Sequence, residues 1–185
     1  MRVRQFVTLV LGAFLLGAAI LPGQATAEEA AVIEKKSRAA LTSLLERSPG
    51  AAAVAKDAIG ILVFPEILKG GLIVGGLYGE GALLQNDKVS GYYQTVAASF
   101  GLQAGIQKFG YAVFFLDESA LNYLKDSEGW EIGSAPSLVV VDEGVSGKLT
   151  TTSARQSIYV FFFDQKGLMA GLGIEGNKIT EFTPD

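Results

Sequence analysis

The stretch KGGLIVGGLYGEG, residues 69–81, decides how the fold of this chain is interpreted. Glycines are interspersed here with Leu, Ile, Val and Tyr, so a segment with the apolar character of a buried strand lacks many side chains. Glycine inside a strand lowers stability by about 0.5–1 kcal/mol relative to alanine, so the presence of so many glycines requires a structural or functional explanation. Three reasons are open: a phosphate-binding loop, a packing face between membrane helices, or a sheet whose backbones approach closely.

The pattern G-L-x-[VA]-G occurs three times, at residues 71–75, 101–105 and 167–171. If each copy is a strand, alternation places both glycines on one face and the apolar side chains on the other. A strand face without side chains permits bending or close approach of another backbone. The repeat therefore predicts structural glycines in a strongly curved sheet, at Gly71, Gly75, Gly101, Gly105, Gly167 and Gly171.

The other two explanations of the glycines fit the sequence less well. Residues 171–176 match G-x-G-x-x-G, but the short remainder of the chain has a strand pattern, whereas a dinucleotide site needs a helix there. Gly71 and Gly75 form G-x-x-x-G, but the charges of Lys69 and Glu80 interrupt the apolar span of about 20 residues that a membrane helix requires.

The pattern along the chain changes from helical to extended near residue 60. Over residues 28–47, Ile33 and Leu44 share one helical face with Ala40 and Leu41, and Ser48-Pro49 ends this helix and begins a shorter one. Asp117 is the predicted N-cap of a helix over 118–126. The predicted strands are 61–64, 69–84, 89–100, 101–107, 111–116, 137–142, 157–163, 167–176 and 178–182. Asn86-Asp87-Lys88 is the predicted turn of a hairpin between 69–84 and 89–100. This order predicts an α+β fold with a mainly antiparallel, strongly curved, glycine-rich sheet, an N-terminal helical segment and one inserted helix.

The first 27 residues have the pattern of a cleavable Sec-type signal peptide. Arg2 and Arg4 precede an apolar run from Phe6 to Leu21, and Ala25-Thr26-Ala27 is an A-x-A cleavage site. We expect residues 28–185 to form a single domain, with a helical segment at 28–59 and a sheet-rich core at 60–185, located in the periplasm or secreted. The sequence contains no cysteine, so we do not expect a lipoprotein.

Charge and composition exclude several classes of function. Removal of Arg2 and Arg4 with the leader leaves 13 basic against 19 acidic residues, a net charge of −6, which is unsuited to general nucleic-acid binding. The absence of His and Cys excludes Ser-His-Asp and thiol catalysis and the usual zinc ligands. We therefore expect no catalytic residue, no metal and no cofactor. An enzyme based on two carboxylates that are distant in sequence remains open as a third hypothesis.

Several motifs together resemble the SYLF domain family. They are Ala55-Lys56, Val63-Phe64-Pro65-Glu66, the run Lys69–Gly76, Tyr78-Gly79-Glu80-Gly81, Gly101–Gly105, Phe114-Phe115-Leu116, Lys166–Gly171 and Glu175-Gly176. The resemblance extends over essentially all of residues 28–185. It implies a lipid-binding domain: eukaryotic members bind phosphoinositides and act with actin at membranes, whereas bacterial members are exported single-domain proteins. Actin binding is not expected of an exported bacterial protein.

The leading hypothesis from the resemblance is an exported, non-enzymatic, membrane-associated protein that contacts anionic lipid head groups. Lysines beside glycine-rich backbone, where N–H groups can face phosphate, are the first candidates for this contact. The candidate lipid-binding residues are Lys69 and Lys166, each in front of a glycine, followed by Lys35, Lys36 and Arg38 on the N-terminal helix. The alternative is a structural or protein-interaction module of the cell envelope, with a protein partner instead of a lipid.

Overall fold

The computed structural model describes residues 22–71, 74–100, 105–127, 129–131, 138–142, 156–167 and 177–185. It has an α+β fold in which a mostly antiparallel, strongly curled sheet of eight strands is packed with helices. The helices are α1 (Pro22–Arg47), α2 (Pro49–Ala55) and α3 (Glu118–Asp126). The strands are β1 (Gly60–Gly71), β2 (Val74–Gln85), β3 (Lys88–Phe100), β4 (Gly105–Phe115), β5 (Trp130–Glu131), β6 (Leu138–Asp142), β7 (Ile158–Gly167) and β8 (Lys178–Phe182).

The strands are arranged in the order β5-β8-β3-β2-β1-β4-β7-β6. All neighbouring pairs are antiparallel except β6 and β7, which run parallel. The predicted mainly antiparallel sheet is therefore confirmed. The turn between β2 and β3 also agrees with the sequence, since Asn86 and Asp87 both have positive φ (49° and 60°), as tight hairpins prefer.

The sheet is curled so that one face is concave. Trp130 on β5 contacts Phe115 on β4, with ring centroids 5.8 Å apart, although four strands separate β5 from β4. Neighbouring strands are about 4.8 Å apart, so a flat sheet would hold these two rings more than about 20 Å apart. The face that carries Trp130 and Phe115 is therefore the inner face, and the opposite face is the outer face.

Each face has its own hydrophobic core. The inner core joins alternate residues of the strands to the buried side of α3, including Tyr111, Phe162 and Leu121. The outer core packs α1 and α2, through Leu44 and Ala51, against the other set of alternate residues. Burial on both faces explains why the strand sequences are apolar without interruption near the helices.

Bulges and close-approaching glycines produce the curl. The pairing of β1 with β2 shifts between Val63 and Glu66, and the pairing of β1 with β4 shifts between Phe64 and Ile67. A Cβ placed on Gly81 would lie 2.2 Å from the carbonyl oxygen of Val63. A bulge bends a strand and increases its twist, and here the bare backbone opposite the bulge makes room for the bend. Gly110 has the same role on β4, where a Cβ would lie 2.3 Å from the Phe163 ring.

The prediction that G-L-x-[VA]-G forms a strand is wrong at its first copy. Gly71 ends β1 and is the cross-strand partner of Gly75 in β2, so the two glycines belong to two antiparallel strands joined by the motif. Gly105 begins β4 with a φ of 151°, and Gly167 ends β7. All these strand ends lie at one end of the sheet, which we call the glycine end. Gly101 and Gly171 lie outside the described residues.

Two other predicted boundaries also differ from the structure, and a third prediction is not tested. β1 continues through Pro65 instead of ending there, because the bulge accommodates a residue that lacks an N–H. Residues 105–115 form the single strand β4, not two strands around Phe109-Gly110. Most of the predicted strand 167–176 lies outside the described residues.

The helix caps follow the sequence closely. Asp117 accepts a hydrogen bond from the Ala120 backbone N–H at 2.8 Å, and Ser48 accepts one from the Ala51 N–H at 3.2 Å. α1 begins at Pro22, six residues before the predicted helix start at 28, and so includes the predicted cleavage site. The rest of the predicted signal peptide lies outside the described residues. Within the described part of the chain, no helix is long and apolar enough to cross a membrane.

Candidate functional site: an apolar patch at the glycine end

A row of exposed apolar side chains crosses the outer face near the glycine end. Leu68 on β1 is the cross-strand partner of Tyr78 on β2, and Tyr78 is the partner of Val96 on β3. Paired residues of an antiparallel sheet share a face, so these three side chains form one continuous row. Ile106 on β4 lies one row nearer the glycine end, opposite Gly70.

The side chains of this row and of Ile106 are more exposed than large apolar side chains usually are. The exposed fractions are 53% for Leu68, 48% for Tyr78, 37% for Val96 and 70% for Ile106. Single exposed apolar residues are ordinary, but an exposed apolar cluster marks a site of interaction. We call these four residues, together with Val32 of α1, which is 45% exposed, the outer apolar patch.

Two glycines open a groove within the outer apolar patch. Leu68, Tyr78 and Ile106 border a groove of about 430 Å³ whose floor contains Gly70 and Gly76. A Cβ on either glycine would meet no atom closer than 3.8 Å, so close packing does not require glycine at these positions. Their effect is to leave the outer face bare between the exposed side chains.

α1 extends the patch on its other side. Val32 and Lys36 of α1 line a second groove together with Leu68 and Tyr78. The Tyr78 hydroxyl donates a hydrogen bond to the carboxylate of Glu80, two residues along the same strand. This bond, followed by partial burial and the nearby Glu80 charge, raises the pKa of Tyr78 to about 12.

The structure places the two leading lysine candidates on opposite faces of the sheet. Lys69 is paired with Gln107, whereas Lys166 is paired with Lys108. Cross-strand partners share a face, and Lys108 is the partner of Leu68, so Lys108 lies on the outer face. Gln107 is the next residue along β4, so its side chain points to the inner face. Lys166 lies on the outer face in the same row as Leu68. Lys69 lies on the inner face.

Lys108 and Lys166 therefore flank the outer apolar patch on the β4–β7 side. The Lys108 Nζ lies 2.6 Å from Glu66 Oε2 in an exposed ion pair, which is worth little in stability. Lys166 is exposed, and it has no ion-pair partner among the described residues. Sequence reasoning selected Lys166 but not Lys108, since Lys108 does not precede a glycine.

The three candidates on α1 have different environments. Lys36 is exposed and borders the patch through the groove it shares with Val32. Arg38 instead has a structural role: its Nε lies 2.7 Å from Glu34 and its Nη2 donates to the Asp87 carbonyl at 2.8 Å, which ties α1 to the β2–β3 hairpin. Lys35 is exposed. The structure thus brings Lys36 and Lys166, but not Lys69 or Arg38, to the patch.

Sequence reasoning missed the apolar residues of the patch. Ile67 and Leu68 are consecutive and both apolar, so the usual alternation of apolar and polar residues along a strand could not show which of them faces solvent. A signal was present in Ile106, whose neighbours Gly105 and Gln107 are not apolar, but only the strand register brings it next to Leu68. Among the described residues, no group of three His, Cys, Asp or Glu side chains could hold a metal ion.

Fold and site together define an α+β domain that presents an exposed, glycine-bordered apolar patch with lysines at its margin. Residues 96–184, about half of the chain, match the family model Ysc84, described as "Las17-binding protein actin regulator". The match confirms the resemblance to the SYLF domain family over these residues, and it supports a lipid-binding module in general terms. No curated protein matches the chain.

Proposed function

We propose that this protein is an exported, non-enzymatic lipid-binding domain that meets a membrane surface with its outer apolar patch. The observation that carries the proposal is the row Val96–Tyr78–Leu68 with Ile106 beside it, exposed on the outer face of the sheet. Burying one such side chain in an apolar environment contributes about 1.5–3 kcal/mol, so a few of them suffice for measurable binding. The family match supports a lipid as the ligand.

The lysines beside the patch suit anionic head groups. Lys36 and Lys166 lie at its margins, and Lys108 is available if its exposed ion pair with Glu66 opens. Each basic residue near an anionic membrane surface contributes about 1 kcal/mol. Glu66 and Glu80 lie at the same surface and reduce this attraction, so apolar contact supplies the larger share. Phosphatidylinositol is one anionic lipid that fits this chemistry.

Export is the second part of the proposal. Arg2, Arg4, the apolar run Phe6–Leu21 and the Ala25-Thr26-Ala27 site support a Sec-type signal peptide and a periplasmic or secreted protein. Sequencing the N-terminus of protein recovered from the host envelope would test this. An N-terminus at Glu28 is expected, and recovery of the intact N-terminus from the cytoplasm would contradict export.

Flotation with liposomes tests the lipid-binding proposal. We expect the purified protein to float with vesicles containing phosphatidylglycerol, and the double variant Leu68→Ser/Ile106→Ser to remain in the dense fraction. Absence of flotation with both anionic and zwitterionic vesicles at low salt would overturn the proposal. Co-purification of a stoichiometric protein without lipid would favour the alternative, an interaction module of the cell envelope.

A further inference from the structure

The outer face near the glycine end is layered along the direction of the strands. Cross-strand partners share a face, and residues two apart on a strand return to it, so successive rows on this face lie about 7 Å apart. One row close to the glycine end joins four strands and carries no charge; it consists of Ala98, Gly76, Gly70 and Ile106. We call it the bare row, because Ile106 is its one large side chain and is 70% exposed.

The next row towards the middle of the sheet is basic. From β5 to β7 it consists of Glu131, Lys178, Val96, Tyr78, Leu68, Lys108 and Lys166. Lysines therefore stand on both sides of the exposed apolar residues, and the single acid is at the edge of the sheet. We call this the lysine row. Lys69 lies at nearly the same level on the inner face, and among the described strands only Lys88, at the start of β3, lies elsewhere.

The third row is acidic. Glu66 on β1 is the cross-strand partner of Glu80 on β2, and Gln94 and Thr180 complete the row on β3 and β8. Like charges directly opposite each other destabilise a sheet, so stability does not explain this pair. We call it the glutamate row. It contains no lysine, although Lys108 reaches Glu66 from the lysine row. The order away from the glycine end is thus uncharged, basic and acidic.

α1 lies beyond the glutamate row. Ser37 donates a hydrogen bond to the carbonyl oxygen of Val63 at 3.2 Å, and Val63 is three residues further from the glycine end than Glu66. The apolar side of α1 is buried against the sheet, and among its described side chains Val32 is the one large apolar residue that is exposed. A helix that lies in a membrane interface needs a whole apolar face. α1 therefore has no such face to offer a bilayer.

The order and spacing of the rows match the profile of an anionic lipid leaflet. The head-group layer of a leaflet is about 5–7 Å thick and separates hydrocarbon from water. Rows about 7 Å apart can therefore place Ile106 at the hydrocarbon, the lysines among the phosphates and the glutamates in water. Lysine stems also extend along apolar surface while the charged ends reach polar groups. A protein lying flat on its outer face would instead press Glu66 and Glu80 against the phosphates.

We propose that the domain enters an anionic lipid surface end-on, with the glycine end first and the strands steeply inclined to the bilayer plane. The bare row lies at the hydrocarbon, the lysine row meets the phosphates, and the glutamate row and α1 remain in water. This orientation rests on the proposed lipid binding. It assigns the head-group contacts to Lys108, Lys166 and Lys178, and it leaves Lys36 of α1 in water.

Site-specific labels test the end-on orientation. The sequence contains no cysteine, so each single-cysteine variant carries one label. The fluorophore NBD is attached to Ile106→Cys, Leu68→Cys, Glu66→Cys and Val32→Cys, and vesicles of phosphatidylglycerol and phosphatidylcholine are added. Spin-labelled acyl chains should quench the Ile106→Cys label most. Iodide in the water should quench the Glu66→Cys and Val32→Cys labels most, with Leu68→Cys between these extremes.

The pattern of quenching separates this inference from the lipid-binding proposal. Equal protection of all four labels from iodide would overturn the end-on orientation, although lipid binding itself would stand. A protected Val32→Cys label with an accessible Ile106→Cys label would also overturn it and would assign the contact to α1. If neither the labelled variants nor the unlabelled protein float with the vesicles, the lipid-binding proposal fails, and the orientation fails with it.

Lys178→Gln tests the lysine row, and Lys88→Gln is the matched control. Both remove one exposed lysine from a strand, but Lys88 lies about 25 Å along β3 from Val96, the partner of Lys178. That distance exceeds the Debye length of about 10 Å at 0.1 M salt. At this salt we expect Lys178→Gln to weaken binding to phosphatidylglycerol vesicles several-fold and Lys88→Gln to leave it unchanged. Equal weakening by both would overturn the role of the lysine row, since it would show a general charge effect.

Discussion

The carbonyl oxygen of Val63 on β1 occupies the space that a side chain on Gly81 of β2 would need. A Cβ on Gly81 would lie 2.2 Å from that oxygen and 2.9 Å from the Phe64 ring. The contact coincides with the bulge that shifts the β1–β2 register between Val63 and Glu66. Glycine at 81 therefore permits the close approach from which the curl of the sheet begins.

Gly81→Ala should destabilise the fold, whereas Gly76→Ala should not. The new methyl at 81 meets backbone that cannot move without disturbing the bulge, and we expect a loss of about 1–3 kcal/mol. The methyl at 76 meets nothing closer than 3.8 Å, and its effect should be neutral or a gain of up to about 1 kcal/mol. Chemical denaturation of both variants measures the difference. Equal stabilities would show that the Val63–Gly81 contact does not constrain the fold.

Ile106→Ser should weaken vesicle binding without lowering stability. Ile106 is 70% exposed, so its replacement removes little buried area from the folded protein but removes an apolar contact with lipid. Val140→Ser is the matched control, because Val140 is also exposed, at 48%, but lies on the edge strand β6. Flotation should decrease several-fold for Ile106→Ser alone. Similar losses in both variants would argue against a localised lipid-binding patch.

Alkaline titration should separate the tyrosines by environment. Burial, together with the Glu181 charge, raises the pKa of Tyr93 to about 12, and burial raises the pKa of Tyr111 further. A raised folded-state pKa stabilises the protein fully below the unfolded value of 10.0, and this contribution is lost as the pH rises towards 12. Phenolate absorbance and circular dichroism recorded together should show late ionisation accompanied by unfolding.

Glu80→Gln provides the control for that titration. The hydrogen bond to Glu80 is the largest cause of the raised pKa of Tyr78, so this variant should move one tyrosine towards the ordinary value and leave Tyr93 unchanged. An unaltered titration curve would show that Glu80 does not govern the ionisation of Tyr78.

Asp117, the N-cap of α3, should make the protein less stable in acid. Hydrogen bonds from the Ser119 and Ser157 side chains and from the Ala120 backbone N–H hold the pKa of Asp117 below its usual value. A lowered folded-state pKa stabilises the protein above the ordinary value near 3.8, and the contribution is lost as the pH falls through the folded-state pKa.

Two substitutions separate the charge of Asp117 from its role as a cap. Asp117→Ala should cost about 1 kcal/mol at neutral pH because the cap is lost. Asp117→Asn retains an acceptor for the Ala120 N–H, so it should cost less and flatten the acid limb of the stability profile. Thermal unfolding as a function of pH measures both. If the stability of Asp117→Asn falls as steeply with decreasing pH as that of the unmodified protein, other carboxylates cause the acid dependence.

Local sequence signals predicted local structure correctly. Asp117 before an apolar-periodic segment predicted the start of α3, and Asn86-Asp87 between two apolar runs predicted a hairpin. The apolar face of α1, with Ile33 and Leu44, is buried as expected. These signals depend on residues within a few positions of one another, which is the range over which capping, turn conformation and helical periodicity operate.

The glycine repeat shows why similar motifs need not have similar positions in a fold. Lys69 and Lys166 each precede a glycine, yet pairing with Gln107 and Lys108 places them on opposite faces of the sheet. The face that a strand residue occupies depends on register, and bulges in β1 and β7 alter that register. No local sequence pattern specifies the register between strands.

By itself, the sequence determined the α+β class, the helix caps, the β2–β3 turn and the family resemblance, because each depends on residue types at short spacing. Only the tertiary structure decided which glycines make the curl, which lysines lie beside Leu68 and Tyr78, and which charged residues share a row of the sheet. These features arise where distant strands are paired, so they depend on the register between strands and not on the sequence of any one strand.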